Sequence, residues 1–397
     1  MTMMNELLRV VPEERLIEWA QTFVRRPSEQ TALLEADPAV QSFIGECVQP
    51  LLEGLGHRCR RDAMGNLIAE AGPVDAPRAA MLLAYAMTHP ASSMKSPFAG
   101  ELLGGAEPAL RGRGVAEQKG ALAAAVAAFH AAATSNPRCR LILAVSTAGE
   151  TGQHKAADSL LGAIDRMPQA AIVAIGSGGK IALANKGRLD VHVEVRGKSS
   201  HSSTPWAGVN AIVGAQAVLA RLAALDIGDD EHPLLGRATL TPTAIRSYPE
   251  ATHTIQDRVA LTFDRRLLPG QDPLQALHQI EQALAGMPAW AENLPANALQ
   301  VRAGAFQHPA EIPVDGLFMR CARAGFARMG LADPGTFASH GCVDAGLLVL
   351  KGCEASMWGP GEQGMWHTDE ERLPVSALVQ GAAAYLGFLL AFQDMSA

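Results

Sequence analysis

The chain lacks any C-x-x-C pair: its six cysteines, Cys47, Cys59, Cys139, Cys321, Cys342 and Cys353, are scattered. A chain of 397 residues needs no disulfide framework, so these read as reduced thiols and the expected compartment is the cytoplasm. It also lacks a Lys/Arg run. With 33 Lys+Arg against 40 Asp+Glu and a net charge of −7, it is a poor match for a phosphate backbone or an anionic membrane, and neither nucleic acid nor membrane is expected as a partner. No uninterrupted apolar segment occurs in MTMMNELLRVVPEERLIEW, so no signal peptide is expected. The longest apolar stretch, ALAAAVAAFHAAA at 121–133, is short, alanine-rich and interrupted by His130, which fits a buried helix better than a membrane span. Charged residues are scarce at 18% against 48% hydrophobic. That balance excludes a disordered chain and leaves ample apolar surface for a core.

Length suggests two or three domains. Residues 7–24 have the apolar spacing of a helix and end before Arg25-Arg26-Pro27. Apolar runs of strand length follow at 80–87, 141–147 and 170–175, with helical stretches at 117–133 and 153–164 between them. Buried strands alternating with helices predict βαβ units and a mostly parallel sheet. From about Arg188 the pattern changes. Residues 190–196 and 258–264 alternate strictly, as strands with one wet face do in antiparallel sheets. Helical segments at 210–224 and 273–285 accompany them. Parallel-sheet character returns at 347–350, and a final helix covers 375–392. The expected fold is α/β, a mostly parallel-sheet domain interrupted by an inserted α+β domain, with linkers near 186–189 and 295–303.

Ligands of open parallel sheets bind beyond the carboxyl ends of the strands. Thr88-His89-Pro90 follows the first strand, Gly149-Glu150-Thr151-Gly152 the second, and the acid-free Gly176-Ser177-Gly178-Gly179 the third. Gly112-Arg113-Gly114 leads into a helix carrying Glu117, and a glycine-rich loop from Trp358 ends at His367. Glu117, Glu150 and His367 are thus oxygen and nitrogen donors from three loops, a set able to hold a divalent metal with open positions. Each also admits a plain structural role: a first-turn carboxylate at Glu117, a loop acid at Glu150, a backbone-bonded loop histidine at His367. The G-x-G at 112–114 is not a dinucleotide fingerprint, because no third glycine follows and no strand immediately precedes it.

Five segments resemble the M20 metallopeptidase/aminoacylase family, which includes acetylornithine deacetylase, succinyl-diaminopimelate desuccinylase and carboxypeptidase G. RGRGVAEQKGALAAAVAA is similar to that family's G-R-G-x-x-D-x-K-G helix start. GKSSHSSTPWAGVNAI resembles its G-K-x-x-H-x-x-x-P-x-x-G-x-N-A lid segment, and LTFDRRLLPG its D-x-R-x-x-P-G strand. GCVDAGLL and WGPGEQGMWHTDEE resemble its G-x-D-A, G-P-G and terminal H-x-x-x-E runs. The resemblance covers nearly the whole chain. It implies a discontinuous catalytic domain, 1–187 and 298–397, and a lid and dimerisation domain, 188–297.

The family's site holds two zinc ions. Carried over by residue, one ion takes Glu117, Glu150 and His367. The other would need a histidine where this chain has Tyr85 and an acid near Ser177, yet no acid occurs from Arg166 to Arg188. The family's Asp behind its first histidine is Met87 here, and its catalytic glutamate is Gly149. The resemblance therefore implies a single Mn²⁺ or Zn²⁺ ion, with Mn²⁺ suiting the oxygen-rich set. Such an ion lowers the pKa of water to roughly 7, so hydroxide is available without the glutamate. His89 is the best substitute base or alternative ligand, with a turn histidine before Pro90 as the plain reading. His154 and Glu362 are weaker candidates. Tyr85 is a phenol donor, a ligand or a core side chain.

The same resemblance gives His201 the role of a lid histidine reaching across a homodimer to the scissile carbonyl. It gives Arg266 that of a clamp on a substrate carboxylate, a bidentate task that suits guanidinium. His253 stands where the family has asparagine, and Gly359 and Gly361 are expected to shape a substrate wall. The expected activity is metal-dependent hydrolysis of a C–N bond, amide or activated amine, in a small carboxylate-bearing molecule. A hydrolytic deaminase of an amino-substituted aromatic acid, a silent acid-binding relative, and a two-zinc aminoacylase completed by His89 are the alternatives.

Overall fold

A computed structural model describes residues 3–32, 36–149, 152–228 and 230–395. The chain divides into two compact units, one formed by residues 1–184, 310–339 and 343–397, the other by 185–309 and 340–342.

The larger unit is built on a six-stranded sheet. Its strands run in the order Cys59–Arg61, Leu67–Ala71, Arg140–Ser146, Ala79–Tyr85, Ala170–Ala174, Glu354–Met357. The last four are parallel, and the first two add antiparallel at one edge. The central strand Ala79–Tyr85 is buried at every position, which is why it reads as a continuous apolar run rather than an alternating one. The α/β reading is borne out, with local corrections. The helix expected over 7–24 is two helices, Met3–Val10 and Glu13–Arg25, because Pro12 has no N–H to continue the first. Residues 347–350 are helical, within Ala345–Leu350, and the closing strand is Glu354–Met357. Four apolar residues carry no periodicity able to separate the two states.

Helices Gly120–Thr134, Leu317–Met329 and Val375–Asp394 supply much of the remaining core. Val375–Asp394 is the one described helix long and apolar enough to cross a membrane. Here it packs in the core, with Leu378, Phe388, Leu389 and Phe392 fully buried. Its approach to Leu317–Met329 is set by two glycines: a β-carbon on Gly387 would lie 2.5 Å from the Gly325 carbonyl oxygen.

The smaller unit is a four-stranded antiparallel sheet in the order Thr239–Tyr248, Arg258–Leu267, Gly187–Arg196, Leu299–Gln307. Burial alternates along Gly187–Arg196. Its inward residues Leu189, Val191, Val193 and Val195 share a core with Val218 of helix Ala211–Ala223 and Ile280 of helix Pro273–Ala285. Asn210 caps the first helix through the Ile212 N–H, and Asp272 caps the second through Leu274 and Gln275. The linker expected at 295–303 and the boundary at 297 are corrected to Pro309. Strand Leu299–Gln307 runs through that segment and pairs with Gly187–Arg196. Its half-exposed residues hide it from a search for apolar runs.

His130, which interrupts the apolar stretch in the sequence, meets His57 with Nδ1···Nε2 at 2.9 Å, and the His57 ring packs on Phe129. Burial, then the neighbouring His130, push His57 down to about 4. The unfolded chain therefore binds the extra proton between pH 6.5 and about 4. Stability is expected to fall as pH drops through that window, and His57→Phe to flatten the fall in the urea midpoint. Gly387→Val is expected to lower the unfolding free energy by about 1–3 kcal/mol, because backbone rather than a movable side chain opposes the new atoms. Urea denaturation against wild type checks both.

Candidate active site

The larger unit brings three donors together. One ligand atom each from His89, Glu117 and His367 lie within 4.8 Å of one another. Glu117 is buried, His89 half-buried and His367 exposed. The His367 Nε2 is 3.2 Å from Glu117 Oε1, and the two imidazole centroids are 3.8 Å apart. His89, expected as a substitute base or ligand, stands with the other two. Glu150 lies outside the described residues.

Each donor is held by backbone geometry and buried charge. Glu117 sits in a single π-turn, Val115–Lys119, ahead of helix Gly120–Thr134. Gly114 enters this turn at φ +79, where a β-carbon would also strike Thr88 at 2.4 Å, so the position requires glycine. The carboxylate of Glu371 closes the turn's open end, accepting the N–H groups of Gly114, Ala116 and Glu117 at 2.9, 3.0 and 3.3 Å. Arg113 Nη1 donates to the same carboxylate at 3.0 Å, and both side chains are buried. Burial pushes the Glu371 carboxyl up from its ordinary range, while the three N–H groups and the guanidinium pull it back. Arg113 Nη2 also donates to the Ala91 carbonyl at 3.0 Å, two residues beyond His89. On the other side of His89, Thr88 exchanges backbone bonds with Ser28 and Gln30. His367 adopts φ +59, a conformation uncommon outside glycine, just after the turn Gln363–Met365.

Lys119 completes the support. Fully buried, its Nζ donates to the carbonyls of Phe23 and Arg26 at 2.7 and 2.5 Å and lies over the Phe43 ring. Burial pushes it down to about 7. The motifs contain Arg113, Lys119 and Glu371, but sequence reasoning gave them no role. The available signal was charge in a glycine- and alanine-rich setting.

Other expected site residues are placed differently. Tyr85 is fully buried, and its hydroxyl oxygen accepts the Asp344 N–H at 3.0 Å. Gly149 lies against its ring, and a β-carbon there would come within 3.2 Å of it. The Asp344 carboxylate meets His154 Nδ1 at 2.6 Å, both buried. Met87 is buried, with its sulfur 3.9 Å from Gln118 Nε2. Gly359 and Gly361, expected to shape a substrate wall, are buried at close backbone approaches, where β-carbons would lie 2.3 Å from Ile175 O and 1.8 Å from Ala116 O. The role their geometry requires is packing. Glu362 is exposed.

In the smaller unit, His201 and His253 are exposed neighbours with ring centroids 6.0 Å apart, and His201 Nδ1 lies 2.7 Å from Ser203 Oγ. Arg266 does not hold an open fork. Its Nε and Nη2 donate to Asp264 at 2.8 and 3.0 Å, and its Nη1 reaches the His340 carbonyl at 3.2 Å.

Comparison with known proteins agrees with this architecture. Residues 183–291 match the peptidase dimerisation domain of the M20 group. The chain is 27% identical over 273 residues to a protein of Pyrobaculum aerophilum named as a candidate LysW-lysine/LysW-ornithine hydrolase, spanning 69% of this chain and 72% of that one. It is 28% identical to acetylornithine deacetylase of Myxococcus xanthus, over 68% of this chain and 69% of the relative. An M20 family metallo-carboxypeptidase of Sulfolobus solfataricus superposes with a TM-score of 0.77 at 16% identity, covering 96% of this chain and 99% of that one. Human carnosine dipeptidase 1 superposes at 0.74 and 15%, covering 99% and 100%. The chain shares the fold of these solved M20 structures, and its residues 183–291 match the M20 peptidase dimerisation domain, in line with the resemblance its motifs carry.

Proposed function

We propose that the protein is a metal-dependent hydrolase of a C–N bond in a small carboxylate-bearing molecule, with one divalent ion held by His89, Glu117 and His367. The observation that carries this reading is the convergence of those three donors within 4.8 Å. One buried carboxylate and two more accessible imidazoles form a set used by catalytic zinc sites that keep a position open. With His89 in the set, the donors are richer in nitrogen than Glu117, Glu150 and His367, which favours Zn²⁺ over Mn²⁺. Glu150 remains an additional candidate ligand. A bound ion supplies Lewis acidity and lowers the pKa of water at the site to roughly 7. The chain's own part is orientation: Arg113 and Glu371 fix Glu117, and Thr88 and Ala91 fix the segment of His89.

The packing of Tyr85, Met87 and Gly149 supports one ion rather than two. A phenol ring, a thioether and a bare backbone stand where a second ion would need donors. The relatives named for hydrolysis of amino-acid derivatives support an amide-type substrate, whose acyl carbon takes the water, over the deaminase reading, in which a ring carbon takes it and ammonia leaves. A homodimer is supported by the matched dimerisation domain and by strand Thr239–Tyr248, which pairs on one side only and exposes Ile245.

Metal analysis of the purified protein is expected to give about one ion per chain, with occupancy and turnover of N-acyl amino acids both lost in His89→Ala and His367→Ala. Absence of metal, or an unchanged His89→Ala enzyme, sinks the assignment. Gly149→Glu is expected to lower the melting temperature without adding a second ion, since the new side chain must displace the Tyr85 ring; calorimetry and metal analysis of that variant read both effects.

A further inference from the structure

Glu362, which stands outside the donor cluster, lines a cavity of about 370 Å³ in the larger unit. That volume falls within the roughly 300–1,000 Å³ range of small-ligand pockets. The apolar lining includes Trp358, Leu331, Pro334 and Ala377, and the charged lining is Asp333 and Glu362. Two wall segments are fixed to each other by backbone bonds. The N–H groups of Ser177 and Gly179 donate to the Gly359 carbonyl at 3.1 and 2.8 Å, and that of Gly178 to the Gly361 carbonyl at 2.7 Å. Trp358 Nε1 donates to the Gly179 carbonyl at 2.9 Å, and its ring stacks on Phe326 with centroids 5.1 Å apart. On these sides the cavity is bounded by tied backbone and a locked ring rather than by side chains free to fill it.

The electrostatics of the cavity have one sign. Asp333 and Glu362 are exposed carboxylates with no ion-pair partner among the described residues, and none of the lining residues is basic. Gly178 adopts φ +65, and a β-carbon there would lie 2.7 Å from Glu362 Oε2, so the carboxylate rests over a position that glycine keeps open. Asp333 Oδ1 accepts the Gly335 N–H at 2.8 Å, which leaves its other oxygen for a ligand. Residues 331–334 follow helix Leu317–Met329 directly, after the Gly330 cap. The carbonyl end of a helix favours a cation, in the same sense as the two carboxylates.

We propose that this cavity binds a small organic cation, a primary ammonium on a compact apolar body, with Asp333 and Glu362 as its charge partners. The ammonium supplies three N–H donors for the two carboxylates, and the body displaces water from Leu331, Pro334 and Ala377. The site is separate from the donor cluster and does not depend on the hydrolase reading, although the two share segments. Glu362 lies in the loop that leads to His367, and the N–H of Gly176, beside the wall, donates to the Glu117 carbonyl at 2.8 Å.

The test is calorimetric titration of the purified full-length protein with cyclohexylammonium, cyclohexanol and cyclohexanecarboxylate, one body carrying a positive, no and a negative charge. The cation is expected to bind about fivefold tighter than the alcohol, the scale of a partly exposed charge contact, and the carboxylate to bind weakest. Asp333→Asn combined with Glu362→Gln, both at exposed positions, is expected to make cation and alcohol equal with circular dichroism and metal content unchanged. Ala377→Phe, which fills the cavity from helix Val375–Asp394, is expected to remove binding of both. Equal binding of cation and alcohol by the wild type, tighter binding of the carboxylate, no cation binding at millimolar concentration, a preference that survives the double variant, or binding that survives Ala377→Phe each overturns the site. Cation binding that disappears with a chelator overturns it as well, because it places the amine on the metal.

Discussion

The buried pair of Arg113 and Glu371 is the constraint on which the candidate site depends. Glu371 follows His367 in the same loop, and its carboxylate receives the open N–H groups of the turn that carries Glu117. Arg113 reaches that carboxylate with one nitrogen and the Ala91 carbonyl with another. One guanidinium therefore connects the segments of all three donors. Such a pair brings no guaranteed gain in stability, since well-packed apolar residues often replace a buried ion pair without loss. Its geometric effect is more specific: moving any one segment breaks charged hydrogen bonds to another.

The opposite face of the turn is held by a different device. Lys119 projects from the same π-turn and ends on carbonyls at and just beyond the end of helix Glu13–Arg25. Both carbonyls lie at the C-terminal end of that helix, where the Phe23 oxygen also accepts the Arg26 N–H and a cation meets the favourable end of the dipole. The turn is thus fixed by an anion at its N–H side and by a cation that it sends into a neighbouring helix end. Both groups are buried, and burial disfavours the charged form of each. A donor carried on such a turn is preorganised before any ion arrives.

The parts legible in the sequence were those whose physics is local. Apolar runs located the central strands to within two residues, because full burial on both faces removes alternation. Strict alternation located Gly187–Arg196 and Arg258–Leu267. The strand Leu299–Gln307 was not legible, since its exposed and half-exposed residues read as a linker until a partner strand is known. The site was legible in its loops but not in its composition. Glu117 and His367 followed from position after strands and at a helix start. His89 was legible as a substitute base or alternative ligand but not as a neighbour of Glu117, because its distance from Glu117 is decided by the backbone bonds of Thr88 and the Arg113 contact to Ala91. Arg266 was legible as a cation on a strand, while its engagement by Asp264 was not.

Tyr85, Met87 and Gly149 differ from what the resemblance expects, yet they are not three independent losses. The Tyr85 ring occupies the space beside Gly149, its hydroxyl receives the Asp344 N–H, and the Asp344 carboxylate holds His154. Glycine at 149 is therefore tied to tyrosine at 85 by volume, and the pair is tied to a buried polar network by hydrogen bonds. The network is only partly satisfied, since Asp344 Oδ2 is buried with no hydrogen-bond partner among the described residues, and a buried polar group in that state is costly. The contrast with the donor cluster is informative. There, a buried carboxylate, a buried guanidinium and a buried lysine are all spent on orienting His89, Glu117 and His367. Packing alone gives no reason for that expenditure, because apolar residues would fill the same volume at no desolvation cost. A need to hold three donors at ligand distance does give one.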